Sequence, residues 1–249
     1  MRGILPQNGA SLQRTIKSSS AMPKKVDHKL RREAFLAAAY RTIKKKGLEG
    51  MTVRAVAREA GFTTGALVHY VDSVDKLLVE SSEYAARYVR GDMEAMEALP
   101  DKLESLRQVV YLSLPLDEER RGNWNFWMGF WERSVRNATV RKLTHTRYSE
   151  WIGRVERLIV AAQEAGDLAD DIDVKRAARM CVALVDGIAT QTMRSGFPLS
   201  ADDQRRMIDD WIVTSLRPTR PLSTVRIERP RRPRSNGTQP QDAAMAKAV

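Results

Sequence analysis

Residues 52–78 read TVRAVAREAGFTTGALVHYVDSVDKLL. Val53, Val56, Ala57 and Ala60 recur at helical spacing, and Thr52 precedes them as a candidate N-cap. Gly61 breaks the pattern where a residue with positive φ lets the chain turn sharply. Thr63 or Thr64 can cap the next short helix, and Ser73 the one after it. Two short helices around a glycine turn have the form of a helix-turn-helix, whose second helix lies in the DNA major groove.

Working outward, residues 28–46 predict a helix with Phe35, Ala38, Ala39, Thr42 and Ile43 on one face, ended by Gly47 after three lysines. Leu67 and Val71 are expected to point back at Phe35 and Val56. Thr63, Thr64, Gly65, Ala66, Val68 and His69 then occupy the opposite face, where base edges are met. Arginine is the commonest bidentate partner of guanine, so Arg54 is the foremost candidate for direct readout. Gly65 carries no side chain to hold the backbone away from a groove.

Residues 30–78 resemble the DNA-binding domain of the TetR family of bacterial transcriptional repressors. The resemblance rests on Lys46-Gly47, the run Met51 to Ala57, Ala60-Gly61-Phe62, Gly65-Ala66-Leu67, His69-Tyr70, Ser73 and Lys76-Leu77-Leu78. It implies base contacts at Thr64, Gly65 and Val68, phosphate contacts at Val53, Ala66, His69 and Tyr70, and a base-reading role for Arg54; Thr52 and Thr63 complete the candidate DNA-binding set. Two positions depart from the family: Val68 stands where it usually has tyrosine, and Val74 where it usually has a phosphate-binding lysine.

Residues 74–98 predict a long helix striped with Leu77, Leu78, Ser81, Tyr84, Ala85, Tyr88 and Val89, the expected link between reading head and body. Pro100 is expected at the first position of the next helix. Residues 117–136 follow, with Trp124, Trp127, Met128 and Trp131 on one face and Phe126 and Phe130 on another. Aromatic stripes at this spacing serve as core. They also suit an effector pocket, including a cage for a quaternary ammonium by cation–π attraction. Trp127-x-x-Phe130-Trp131, with Val140 to Leu143 and Asp186-Gly187, resembles the C-terminal domain of the choline-responsive branch of the same family. That resemblance implies an effector site at Trp124, Trp127, Met128 and Trp131, with an apolar, aromatic or quaternary-ammonium ligand. Glu132 is the acid nearest these tryptophans in sequence, though Arg133 and Arg136 are ready partners for it.

The remaining segments predict helices over 139–165, 174–194 and 201–216. In the family the last two pair with those of a second subunit in a four-helix bundle, which implies a homodimer on a palindromic double-stranded operator. The fold class is therefore all-α: a three-helix helix-turn-helix domain, residues 28–73, and a helical effector-binding and dimerisation domain, residues 74–216. Residues 1–27 and 217–249 are expected to be disordered basic ends, either solvated tails or phosphate-touching arms. Met22 opens a stretch that reads as a natural start, so residues 1–21 are expected to stem from an upstream start codon.

The 249 residues carry a net charge of +11, which points to a polyanionic partner, although much of the excess sits in the two ends. A single cysteine, Cys181, excludes an internal disulfide and fits a reducing, cytoplasmic setting. No apolar run approaches the roughly 18 residues of a membrane span. The histidines His28, His69 and His145 lack metal-site spacing, and neither phosphate loop nor nucleophile elbow is present. No metal, cofactor or enzymatic activity is expected; the alternative reading is a helical enzyme or protein-interaction module without specific DNA binding.

Overall fold

The computed structural model describes residues 28–70, 73–194 and 199–224. Of the expected basic ends, residues 1–27 and residues 225–249 of 217–249 lie outside them, as do the proposed start at Met22 and the core position Val71.

The elements among the described residues are all helices: α1 (His28–Lys46), α2 (Val53–Ala60), α3 (Thr64–Val68), α4 (Val74–Glu97), α5 (Lys102–Leu112), α6 (Glu118–Arg136), α7 (Ala138–Glu164), α8 (Val174–Met193), α9 (Ala201–Trp211) and a closing π-helical turn (Ile212–Leu216). Short polar side chains start most of them. Thr52 accepts from the Ala55 N–H, Thr63 from Ala66 and Ser73 from Lys76, each satisfying an N–H that the first helical turn leaves unpaired. Gly61 ends α2 at φ 75°, with its N–H on Arg58 O and that of Phe62 on Ala57 O, the double closure of a Schellman turn. Pro100 was expected inside the helix that follows it. Instead Asp101 is the cap, accepting from Glu104, and Pro100 lies outside.

Two apolar cores result. The body core joins α5, α7, α8 and α9. The head core joins Phe35, Ile43, Val56, Leu67, Leu77 and Leu78 from the first four helices, and it also takes Phe126, Phe130 and Val140 from α6 and α7. Phe126 and Phe130 are completely buried there, so the head is not closed by its own helices alone.

α6 approaches the head closely. A Cβ added at Gly129 would lie 2.7 Å from the Leu48 Cβ, and one at Gly122 would lie 2.9 Å from the Lys44 Cε. Asn125 donates to the Lys44 carbonyl (3.1 Å), and Tyr40 donates to Asn123 (2.6 Å). At the start of α4, Asp75 accepts from Arg133 (2.7 and 2.8 Å) and Asn137 (2.9 Å), bonds that hold its carboxyl below the usual range.

Residues 217–224, expected to begin the free tail, lie along the body. Arg220 spans Asp101 (2.5 Å) and Asp167 (2.9 Å), Thr219 binds the 166–167 turn, and Arg107 donates to Ser223 O (2.7 Å). The lack of periodicity that suggested disorder carries no information about such ion pairs, which form with residues far away in sequence. No helix among the described residues is long and apolar enough to cross a membrane.

Candidate DNA interface and effector cavity

The first candidate surface surrounds α3. Thr52, Arg54, Thr63, Thr64, Gly65, Val68 and His69 are exposed, Val53, Ala66 and Tyr70 are half-buried, and Leu67 faces inward at 0% exposure. Val68 is 59% exposed, a large apolar side chain that belongs to neither apolar core among the described residues. A Cβ at Gly65 would meet nothing within 4 Å, so the fold itself does not require glycine there.

The surface is braced from behind. Glu59 of α2 binds Arg41 (2.9 Å) and Lys45 (3.1 Å) of α1. Burial works against its charge, but the two cations more than offset this and its pKa is lowered. Phe35 packs at a tilt against Phe62 (5.1 Å) and Tyr70 (5.5 Å), and Arg31 lies over the Phe62 ring at 5.5 Å. The Tyr70 hydroxyl meets His28 Nδ1 at 3.0 Å, so one of the expected phosphate-contacting groups also ties the turn after α3 to the start of α1. Arg54 forms no hydrogen bond or ion pair among the described residues, which leaves its guanidinium available.

The second candidate site is a cavity of about 590 Å³ between α4, α5, α6, α7 and α8. Trp124, Trp127 and Trp131 line it, and so do Tyr148, Trp151 and Asp186. Met128, grouped with the tryptophans by spacing, is not in the lining; it packs against the body core. Trp127 has two roles. It lines the cavity, and it packs edge-on against Phe126 (5.2 Å) and Phe130 (5.8 Å) of the head core. Asn123, also in the lining, carries the hydrogen bond to Tyr40 of α1.

One corner of the cavity is an aromatic box. The Trp124 indole N–H donates to the Ser113 carbonyl (2.7 Å), which fixes the ring. Trp131 stands edge-on to it at 5.4 Å, and Tyr148 lies 5.6 Å from Trp131. The Tyr148 hydroxyl donates to Asp186 at 2.7 Å. Burial pushes the Asp186 carboxyl up, and the Tyr148 bond counteracts only part of that; burial and Asp186 together push the Tyr148 hydroxyl up. Asp186 has no ion-pair partner among the described residues, an arrangement that costs free energy unless a cation arrives. Glu132, the acid closest in sequence, is exposed and outside the lining, and Arg133 pairs with Asp75 instead.

Sequence reasoning did not assign Tyr148, Trp151 or Asp186 to the site. A usable signal existed for Asp186: it is the one carboxylate of α8, set between the buried positions Val185 and Ile188 in the helix's apolar second half. Cys181, on the same helix, is buried, with its thiol pushed up to about 12 by desolvation, so it is an inert core residue. No group of His, Cys, Asp and Glu among the described residues could hold a metal ion.

The family model for bacterial regulatory proteins of the tetR family matches residues 35–80, and that for the BetI-type transcriptional repressor C-terminal domain matches residues 102–217. The chain belongs to the TetR family of transcriptional regulators. The two models cover the reading head and the cavity-bearing body respectively, and both describe DNA-binding regulators. Among curated relatives, the HTH-type transcriptional regulator PksA of Bacillus subtilis is 28% identical over 190 residues, spanning 75% of this chain and 90% of the relative. The regulator BetI of Paraburkholderia xenovorans is 26% identical over 197 residues, spanning 77% and 96%. A solved transcriptional regulator from Saccharomonospora viridis, in complex with choline, shares the fold: TM-score 0.69 and 24% identity, over 76% of this chain and 98% of that one.

Proposed function

We infer that this TetR-family regulator is a cytoplasmic homodimeric repressor, released from a palindromic operator by a small quaternary-ammonium effector, and that it has no catalytic role. The observation that carries the effector class is the box of Trp124, Trp131 and Tyr148 beside a carboxylate without a counter-ion, Asp186. Aromatic faces attract a cation that cannot donate hydrogen bonds, and a desolvated carboxylate supplies the balancing charge. The choline in the Saccharomonospora viridis regulator and the BetI-type body favour the same chemistry.

On this reading Arg54, Thr63, Thr64, Gly65 and Val68 face base edges, with Val68 suited to a thymine methyl. Val53, Ala66, His69 and Tyr70 lie toward phosphates, with Thr52 beside them at the start of α2. In α8, Met180 and Ala183 are left exposed while Ala178, Cys181 and Val185 are buried, and Val213 is exposed after α9. That outward apolar face favours pairing with a second copy, which sets the two heads about one DNA turn, ~34–36 Å, apart.

The effector acts through α6. Its cavity face carries Trp124, Trp127 and Trp131, and its opposite face carries Phe126, Gly129, Phe130 and the Arg133 bond to α4. A helix clamped this tightly cannot shift on one side alone. The ligand changes head spacing only if it binds one arrangement more tightly than the other.

Fluorescence anisotropy of the full chain on DNA from upstream of its own gene tests this. Specific binding that choline reverses in a saturable manner is expected. Specific binding indifferent to choline and to other quaternary ammonium compounds would sink the effector class. Absence of specific binding at low salt would sink the repressor reading as a whole.

A further inference from the structure

The aromatic box accounts for one corner of the cavity. Part of the remaining wall comes from α4, the helix that leaves the helix-turn-helix head. Ala86, Val89 and Met93 lie at i, i+3 and i+7 on α4, so they form one apolar stripe about 10 Å long. All three line the cavity and are half-buried, yet none belongs to either apolar core among the described residues. They present apolar surface to the cavity, and covering such surface is favourable.

Two cross-links set this stripe against the box. Glu83 of α4 pairs with Arg147, the neighbour of Tyr148 on α7. Further along, the Met93 sulfur and Glu97 meet Arg154 at 2.9 and 3.2 Å. The two helices therefore run in the same sense here, and Ala86 and Val89 lie at the level of Tyr148 and Trp151. Leu112, beside the Ser113 carbonyl that holds Trp124, and Trp127 add to the apolar wall. The arginines of the lining make no claim on this space. Arg120, Arg147 and Arg154 each meet a carboxylate, and Arg90 and Arg157 are exposed. A trimethylammonium group fills the box and leaves the stripe bare. The cavity as a whole, about 590 Å³, is of the size that holds drug-sized ligands, roughly 300–1,000 Å³.

We propose that the effector is an amphiphilic cation: a quaternary ammonium held by Trp124, Trp131, Tyr148 and Asp186, carrying an alkyl or aryl arm that covers Ala86, Val89 and Met93. This rests on the cage reading of the same cavity and names what fills the rest of it. The arm then touches the same helix that gives Leu77 and Leu78 to the head core.

The test is calorimetric titration of the full-length protein with choline, butyltrimethylammonium, octyltrimethylammonium and 1-octanol. Affinity is expected to rise about threefold for each methylene buried, so that the octyl cation binds about tenfold or more tightly than choline. 1-Octanol, which has the arm without the charge, is expected to bind about tenfold more weakly than the octyl cation. The doubly substituted Val89→Asn, Met93→Gln protein is expected to flatten the cation series to within about twofold, while Val89→Ile, Met93→Leu keeps its slope. Thermal melting of each variant establishes that it is folded. Choline binding as tightly as the octyl cation, or a slope that survives Val89→Asn, Met93→Gln, overturns the apolar arm on α4 while leaving the cage intact. 1-Octanol binding as tightly as the octyl cation, or binding of none of the cations, overturns the cage and the amphiphilic cation together.

Discussion

The helix-turn-helix head and the tryptophan-lined cavity are built on opposite principles. Every exposed candidate of the head, Thr52 to Tyr70, comes from one run of nineteen residues, and its helix caps are bonds across three positions. The cavity draws on five helices, and its decisive pair, Tyr148 and Asp186, is separated by 38 positions. A local device can be read along a chain because helical spacing sets which residues share a face. A dispersed device exists only once the chain is folded. The two are joined by α6, whose aromatic residues are divided between them: Phe126 and Phe130 in the head core, Trp124 and Trp131 in the cavity, and Trp127 touching both.

The contrast is sharpest for stability. If the head were self-contained, truncating a residue of α6 would leave it intact. Phe126 is completely buried against Tyr40, with ring centroids 5.3 Å apart, so Phe126→Ala should cost about 3–5 kcal/mol. Urea denaturation checks this, and a loss below about 1 kcal/mol would restore the head as an independent unit.

Arg54→Ala comes next. It should remove about 1–3 kcal/mol of discrimination between operator and unrelated DNA while lowering non-specific affinity less. Equal losses on all sequences would make Arg54 a phosphate contact.

For the cavity, Trp131→Ala should weaken quaternary-ammonium binding by about 1–2 kcal/mol, seen in calorimetry. Trp127 is a poorer probe, because its ring also supports the head core and its removal mixes the two devices. Unchanged affinity in Trp131→Ala would reduce the box to core packing.

The smallest effect is in pH. A carboxyl whose folded pKa is raised favours the folded state below its unfolded value, and that contribution is lost as pH rises through the folded one. Asp186 is such a group, so at neutral pH the effector-free protein carries a net cost there. Asp186→Asn should therefore raise the melting temperature of the effector-free protein at neutral pH by a few degrees at most. It should also flatten the rise of cation affinity with pH across the range where Asp186 ionises. Unaltered profiles in the variant would place the carboxylate outside the binding step.

Much of the head was legible without coordinates. Thr52, Gly61, Thr63 and Ser73 act where their spacing put them, and Leu67, Phe35 and Val56 meet in one core. The cavity was legible only as the tryptophan stripe. Met128 shared that stripe by angle, yet it packs into the body core, since a helix of this kind has neighbours on several sides. The fastening of residues 217–224 was missed for the same reason: Arg220 finds its partners at Asp101 and Asp167, and no local pattern announces them.

The amino-acid sequence by itself determined the run of helices, the turn at Gly61 and the face that α3 turns outward, because hydrogen bonds and side-chain periodicity within a few residues decide these. Only the tertiary structure decided that α6 serves two cores and that Asp186, bonded to Tyr148, stands without an ion-pair partner in an aromatic box. Burial and charge pairing are properties of what surrounds a side chain, and that is settled when distant helices pack.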